Sequence, residues 1–304
     1  MSLYIKYRPT GLDQVRGNES VISTLKKMLI NIETCPHVFL LHGPTGCGKT
    51  TIARIISNEL QCKDDDIIEL NTADVRGIDT IREIIQNSRF MPMVGTNRIW
   101  IIDECHKLTG DAQNALLKVL EDTPKHVYFV LCTTDPQKLI ATIKGRCIQF
   151  PVKPLTGAEI QGLVRSIARQ EGHKLEVDIL EQIAQDSLGH PRNALQILEQ
   201  VLNTEPDKRL EVARQTAALQ SQTIELCRAL IQRSGWKTIR TILSGLTDQE
   251  PESIRRAVMG YCQAVLLKDD NDVAGLILEH MIEPFYDSGW SGLVYKCYLI
   301  TKNK

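Results

Sequence analysis

GPTGCGKT, Gly43 to Thr50, follows the apolar run VFLLH (residues 38–42) and opens an amphipathic stretch over residues 49–60. It fits the pattern GxxxxGK[ST] in the setting that pattern requires, between a strand and a helix. The residue types follow from the chemistry of holding phosphate. Glycines let the backbone wrap an anion without Cβ clashes, and the amides at a helix N-terminus attract it. Lys49 has the length to reach the outer phosphates of a nucleotide, and the Thr50 hydroxyl suits Mg²⁺. Gly43, Pro44, Thr45, Gly46, Cys47, Gly48, Lys49, Thr50 and Thr51 are therefore the expected nucleotide cradle.

Further along, RIWIIDECH (residues 98–106) is an apolar strand ending in two adjacent carboxylates. After a P-loop, the first acid, Asp103, is expected to hold Mg²⁺ and the second, Glu104, to polarise an attacking water. Cys105 and His106 follow directly. Two ligand types without partners do not make a metal site. VLCTTDPQKL (residues 130–139) is a second buried run ending in polar residues. Ligands gather at the carboxyl ends of parallel strands, so Thr134 either reaches that centre or belongs to an ordinary Thr-Thr-Asp-Pro turn. Arg146 (KGRCIQF) and Arg192 (GHPRNAL) read, on residue type alone, as surface arginines.

Short apolar runs at residues 38–42, 67–70, 98–103, 127–133 and 147–150 alternate with helical patterns at 49–60, 78–88 and 111–121. That rhythm predicts an α/β fold with a mostly parallel sheet covered on both faces. The pattern changes after Pro151–Pro154. Three amphipathic helices are expected at 158–170, 177–187 and 192–203, a linker at 204–207, and further helices from 210 to 304. Breaks fall near residues 234–235, 245, 269–271 and 288–289. The expected domains are residues 1–153, 154–207 and 208–304.

Composition narrows the class. The 304 residues carry a formal net charge of −1, so any nucleic-acid contact has to come from a local basic surface. The nine cysteines are scattered singly, which reads as reduced thiols of a cytosolic protein rather than a disulfide frame. The opening MSLYIKYRP lacks a signal-peptide core, and no apolar run approaches the ~20 residues that span a bilayer.

The order of these motifs (P-loop, DExH, TTDP, RC, then GxxRxAL) resembles the AAA+ sliding-clamp loader ATPases, both the bacterial DNA polymerase III gamma/tau subunits and the small subunits of replication factor C. IKYRP (residues 5–9), NTADVRGIDTIREI (71–84) and LTGDAQNALLKVLED (108–122) resemble further boxes of that family. The likeness covers residues 1–205 well. It implies a P-loop sheet domain, a small helical lid and an all-helical C-terminal collar. It also implies ATP and Mg²⁺ as ligands, hydrolysis of ATP to ADP and phosphate stimulated by DNA and clamp, and the opening of a ring clamp for loading onto primer–template DNA. The implied partners are other loader subunits in a pentameric spiral, with several copies of this chain allowed, the ring clamp and the DNA; no membrane is implied.

Carried over residue by residue, the resemblance makes Lys49, Thr50, Asp103 and Glu104 the ATP site. Thr134 becomes sensor 1, Arg192 sensor 2 reaching from the lid, and Arg146 the arginine finger for the neighbouring subunit. Val15, Arg16 and Gly17 match the box near the adenine. Arg76, Thr109 and Gln113 match the DNA-tracking elements, Gln113 as a link between the ATP site and DNA. Phe90, Met91 and Met93 match the clamp-facing edge. The sequence departs from the family at Gly145, commonly Ser. It also lacks the cysteine-rich zinc module of gamma/tau after the P-loop helix, and a tau-like extension with a polymerase- or helicase-tethering role is not expected. The alternatives are another AAA+ DNA motor, such as a Holliday-junction branch-migration helicase, and a non-catalytic subunit of the delta-prime kind. The intact P-loop speaks against the latter.

Overall fold

The carboxyl ends of three neighbouring parallel strands carry the motifs of the first half of the chain. In the computed structural model, which describes residues 2–72, 77–213, 222–247, 249–268 and 270–302, α1 (Leu3–Lys6) and α2 (Glu19–Leu29) precede β1 (Val38–His42). Then follow α3 (Lys49–Glu59), β2 (Ile67–Asn71), α4 (Ile78–Asn87), β3 (Arg98–Asp103), α5 (Gly110–Glu121), β4 (Val127–Thr133), α6 (Ala141–Arg146) and β5 (Ile148–Pro151). The strands form one sheet in the order β2-β3-β4-β1-β5, every pair parallel. The register sets His42 beside Thr133 and Asn71 beside Asp103, so the ends of β3, β4 and β1 share one edge.

Both faces of the sheet are buried, as the continuous apolar runs require. Because side chains alternate along a strand, each strand feeds two cores. Phe39, Leu41, Tyr128, Val130, Ile99 and Ile101 pack with Leu25, Ile52, Ile55 and Ile56 of α2 and α3. Val38, Leu40, Phe129, Leu131 and Ile102 pack with Ile81, Ile84, Leu116 and Ile143 of α4, α5 and α6.

The chain divides into two units, residues 7–155 and residues 156–304 together with 1–6. Thr156 starts the second with a capping box. Its hydroxyl accepts the Glu159 N–H, and the Glu159 carboxylate accepts the Thr156 N–H. This unit contains α7 (Gly157–Gln170), α8 (Val177–Asp186), α9 (Pro191–Leu202), α10 (Gln222–Ile231), α11 (Trp236–Gly245), α12 (Pro251–Lys268), α13 (Asp272–Met281) and α14 (Gly289–Lys302). Among the described residues it holds no strand, as the sequence predicts. Residues 1–6 group with it rather than with the α/β unit, α1 packing on α9. Arg228 on α10 is paired with Asp186 on α8 at 2.5 Å, a bond across the expected 207/208 boundary. No helix among the described residues is long and apolar enough to cross a membrane.

Two helices of the α/β unit differ from the sequence reading. The Val21, Ile22, Leu25, Leu29 stripe builds α2, which the strand-and-helix rhythm did not include. The rhythm also did not include α6, whose last turn holds Arg146 just before β5.

Candidate functional site

The P-loop is fixed at its entry by the sheet. The Gly43 N–H donates to Thr133 O at 3.1 Å, and the Val152 N–H donates to His42 O at 2.8 Å. This squeeze leaves no room for a side chain: a Cβ on Gly43, whose φ is +151°, would lie 2.0 Å from Val152 O. Gly48 caps α3 with φ +98°, a left-handed conformation that glycine adopts freely. The loop therefore delivers the free amides of an eleven-residue helix to one end of the sheet.

Lys49 is 6% exposed, and its ammonium donates to Gly43 O and Pro44 O at 2.8 Å each. The charge thus lies inside the loop's own curve, and together with burial it lowers the pKa of His42, burial being the larger cause. Cys47 is buried and its thiol is pushed up to about 11 by burial, offset in part by Lys49, so it is an inert packing group rather than a reactive thiolate.

Thr50 and Asp103, 53 positions apart, are brought into direct contact: Thr50 Oγ1 donates to Asp103 Oδ2 at 2.7 Å. The other oxygen, Oδ1, accepts the Glu104 N–H at 2.9 Å. One hydroxyl and one carboxylate are an all-oxygen donor pair, which suits Mg²⁺ completed by water and phosphate. Among the described residues no group of three or more His, Cys, Asp or Glu could hold a metal on its own. Cys105 belongs to the α4/α5 core while His106 faces Glu104, so the adjacent pair is not a chelate.

Glu104 occupies the left-handed region, φ 52°, which is uncommon for a non-glycine residue and clusters at functional sites. Thr72 Oγ1 donates to the carbonyls of both Asp103 and Glu104, at 2.9 and 2.6 Å, and pins that backbone. The Glu104 carboxylate accepts from Thr134 Oγ1 at 3.3 Å. Thr134 therefore meets Glu104, which the sequence left open between a site residue and a turn.

Val15, Arg16 and Gly17 form the link into α2, with Val15 packed on the α2/α3 core and Arg16 exposed. The next residue, Asn18, was not singled out by the sequence. Its amide donates to Lys153 O at 3.0 Å and accepts the Lys153 N–H at 2.8 Å, tying this link to the strand exit beside the P-loop. Thr109 caps α5 by accepting the Ala112 N–H. Gln113, expected as a link between the ATP site and DNA, lies inside the unit. It is 4% exposed, and its amide is bonded to Leu108 O, Lys138 O and the Ile140 N–H, so it joins α5 to the segment before α6 and is closed to a direct contact. Arg76 lies outside the described residues.

Arg146 is ion-paired with Glu121 at the end of α5 and also donates to Thr142 O at 3.0 Å. Arg192 belongs to the helical unit, where its guanidinium lies 6.0 Å from the centre of the Tyr4 ring. Phe90, Met91 and Met93 are 65, 69 and 78% exposed on the loop between α4 and β3.

The family model for the DNA polymerase III delta subunit matches residues 65–156, and that for the sigma-54 interaction domain matches residues 15–84. The DNA polymerase III subunit gamma/tau of Mycobacterium tuberculosis is 31% identical over 237 residues, 70% of this chain and 41% of its own length. The tau subunit of Bacillus subtilis is 34% identical over 227 residues, 68% of this chain and 40% of its own. That of Escherichia coli is 30% identical over 262 residues, 78% of this chain and 40% of its own. The chain thus spans about two fifths of the length of these relatives. Among solved structures, the Thermotoga maritima RuvB Holliday junction branch migration motor aligns with a TM-score of 0.61 at 22% identity, covering 78% of this chain and 85% of that one. At that identity the likeness speaks for the fold alone. By sequence, over the residues these relatives match, the chain belongs with the DNA polymerase III gamma/tau subunits.

Proposed function

We propose that this chain is the ATP-hydrolysing motor subunit of a DNA sliding-clamp loader. The observation that carries the reading is the Thr50–Asp103 contact at the mouth of the P-loop, with the Glu104 carboxylate beside Thr134, in a chain whose relatives are polymerase III gamma/tau subunits. The α3 amides and Lys49 bind the β- and γ-phosphates of ATP, the Lys49 ammonium exchanging its loop carbonyls for phosphate oxygens. Residues 15–17 border the base. Thr50 and Asp103 hold Mg²⁺, which supplies neutralisation of the phosphate charge. Glu104 orients the attacking water, and Thr134 fixes Glu104 or the γ-phosphate. Arg192 senses the nucleotide from the helical unit. Arg146 leaves Glu121 to complete the site of the next subunit, so that turnover depends on assembly.

Around the motor, DNA is held without sequence reading by Arg76 and the α5 N-terminus at Thr109, with Gln113 transmitting between that helix and the segment leading to Arg146. The exposed loop of Phe90, Met91 and Met93 docks the ring clamp. Within this reading, residues 154–207 form the lid, residues 208–304 the collar between subunits, and the protein works in the cytosol or another replication compartment.

The test is steady-state ATP hydrolysis by the loader complex isolated through this chain, with and without primed DNA and its ring clamp. Stimulation that needs both additions supports the proposal. Turnover indifferent to the clamp overturns it and directs attention to branch migration.

A further inference from the structure

We propose that His106 is a positioning residue for the Glu104 carboxylate, coupling it to the end of β4. The inference rests on Glu104 being the group that orients the attacking water. His106 is 7% exposed, and its Nδ1 lies 3.0 Å from Thr133 Oγ1 and 3.3 Å from Glu104 Oε2. An ionised carboxylate can only accept, so in the proposed arrangement Nδ1 carries the proton. Thr133 Oγ1 already accepts the Asp135 N–H at 3.0 Å, and its remaining lone pair shares the same imidazole proton. The ring is thereby anchored to the strand end on one side and meets the carboxylate on the other.

Glu104 needs such support. Its backbone is held by Thr72, but its side chain has three rotatable bonds, and its contact with Thr134 at 3.3 Å is at the long end for a hydrogen bond. Thr134 and Thr133 are successive residues. One reaches Glu104 directly, the other through His106, so two neighbouring hydroxyls at the end of β4 bear on one carboxylate. A shift of β4's end, whose neighbour β1 leads into the P-loop, therefore moves the carboxylate with it. Placement of a reacting group to within about 1 Å is worth up to ~100-fold in rate.

Two measurements test this. The first is the proton position on the His106 ring in the full chain, read from imidazole ¹⁵N resonances assigned with His106→Asn. A proton on Nδ1 is expected; an unprotonated Nδ1 overturns the proposal whatever the activity. The second is ATP turnover of the loader complex on primed DNA for three variants. His106→Leu fills the space without a donor and is expected to lower kcat about 10- to 100-fold with KM changed less than about twofold. His106→Asn keeps a donor at the Nδ1 position and is expected to recover kcat to within about fivefold of wild type. Equal loss in both variants, or none in His106→Leu, overturns the proposal. Glu104→Gln separates the two levels of argument. Wild-type turnover in that variant removes the role of Glu104 itself and the inference with it, whereas a dead Glu104→Gln beside an active His106→Leu removes only His106.

Discussion

Asp66 and Arg98, fully inside the α/β unit and 3.3 Å apart, hold the exposed apolar loop between α4 and β3 from its two ends. The Asp66 carboxylate accepts the N–H groups of Met93, Val94 and Gly95 at 2.6, 3.0 and 2.9 Å. The Arg98 guanidinium donates to Asn87 O, Phe90 O and Met91 O. Every side chain offered to solvent by Phe90, Met91 and Met93 thus stands on backbone fixed by one buried ion pair. A preordered loop loses less freedom on docking than a mobile one.

Removing either partner leaves the other charge buried and uncompensated. Asp66→Ala should destabilise the protein by about 3 kcal/mol, read as a lowered urea midpoint. It should also weaken clamp binding by more than Met91→Ala does. A variant with wild-type stability would refute the bracing role.

The same carboxylate gives a signed pH dependence. Burial alone would raise the Asp66 pKa, but the amides of Gly95, Val94 and Met93 and the Arg98 guanidinium outweigh it and bring it from 3.8 down to about 2. The unfolded chain therefore binds this proton first as pH falls, so the contribution is complete above pH 3.8 and is lost on descending toward pH 2. Acid titrations of wild type and Asp66→Asn should diverge above that window and converge within it.

At the P-loop, Lys49→Ala should raise the Kd for an ATP analogue by about 100-fold, the loss of charge-assisted bonds to phosphate. Unchanged affinity, measured by fluorescence titration, would remove the phosphate assignment.

Gly43→Ala tests the entry squeeze rather than the phosphates. A methyl 2.0 Å from the Val152 carbonyl must displace backbone. The expected cost is about 3 kcal/mol, visible in thermal unfolding without nucleotide. A neutral substitution would mean that β5 yields more easily than its pairing with β1 suggests.

Arg146→Ala should keep ATP binding and lower turnover of the assembly by about 1,000-fold or more. Mixed with Glu104→Gln subunits it should regain part of that turnover, because each variant supplies what the other lacks. No recovery at any mixing ratio would argue against a finger acting in trans.

Much of the α/β unit was legible because its signals are local. Short apolar runs rich in β-branched and aromatic residues suit strands buried on both faces, and GPTGCGKT between such a run and a helical stripe has the setting a phosphate loop requires. Thr50, Asp103 and Glu104 are expected together because a P-loop followed by an apolar strand ending in two acids is the set that phosphoryl transfer uses, and the family resemblance joins the same residues. Asn18, Thr72 and His106 were not identified for roles at the site. Each is a single polar side chain whose partner lies on another element, and nothing in spacing along the chain reveals that partner. The bonds by which Gln113 joins α5 to Lys138 and Ile140 are hidden in the same way, 25 and 27 positions along the chain.

Legible along the chain, then, are the five strands, the helices between them at residues 49–60, 78–88 and 111–121, the phosphate loop and the acids that follow it. These are properties of residue type and period, which act over a few neighbouring positions. Which strands became neighbours, that Thr133 and Thr134 both bear on Glu104, and that Asp66 supports a loop 27 residues away through Met93 came with packing. Those relations depend on strand register and on burial, which lowers the local dielectric and makes an unpartnered charge costly. They arise only when distant segments close on one another.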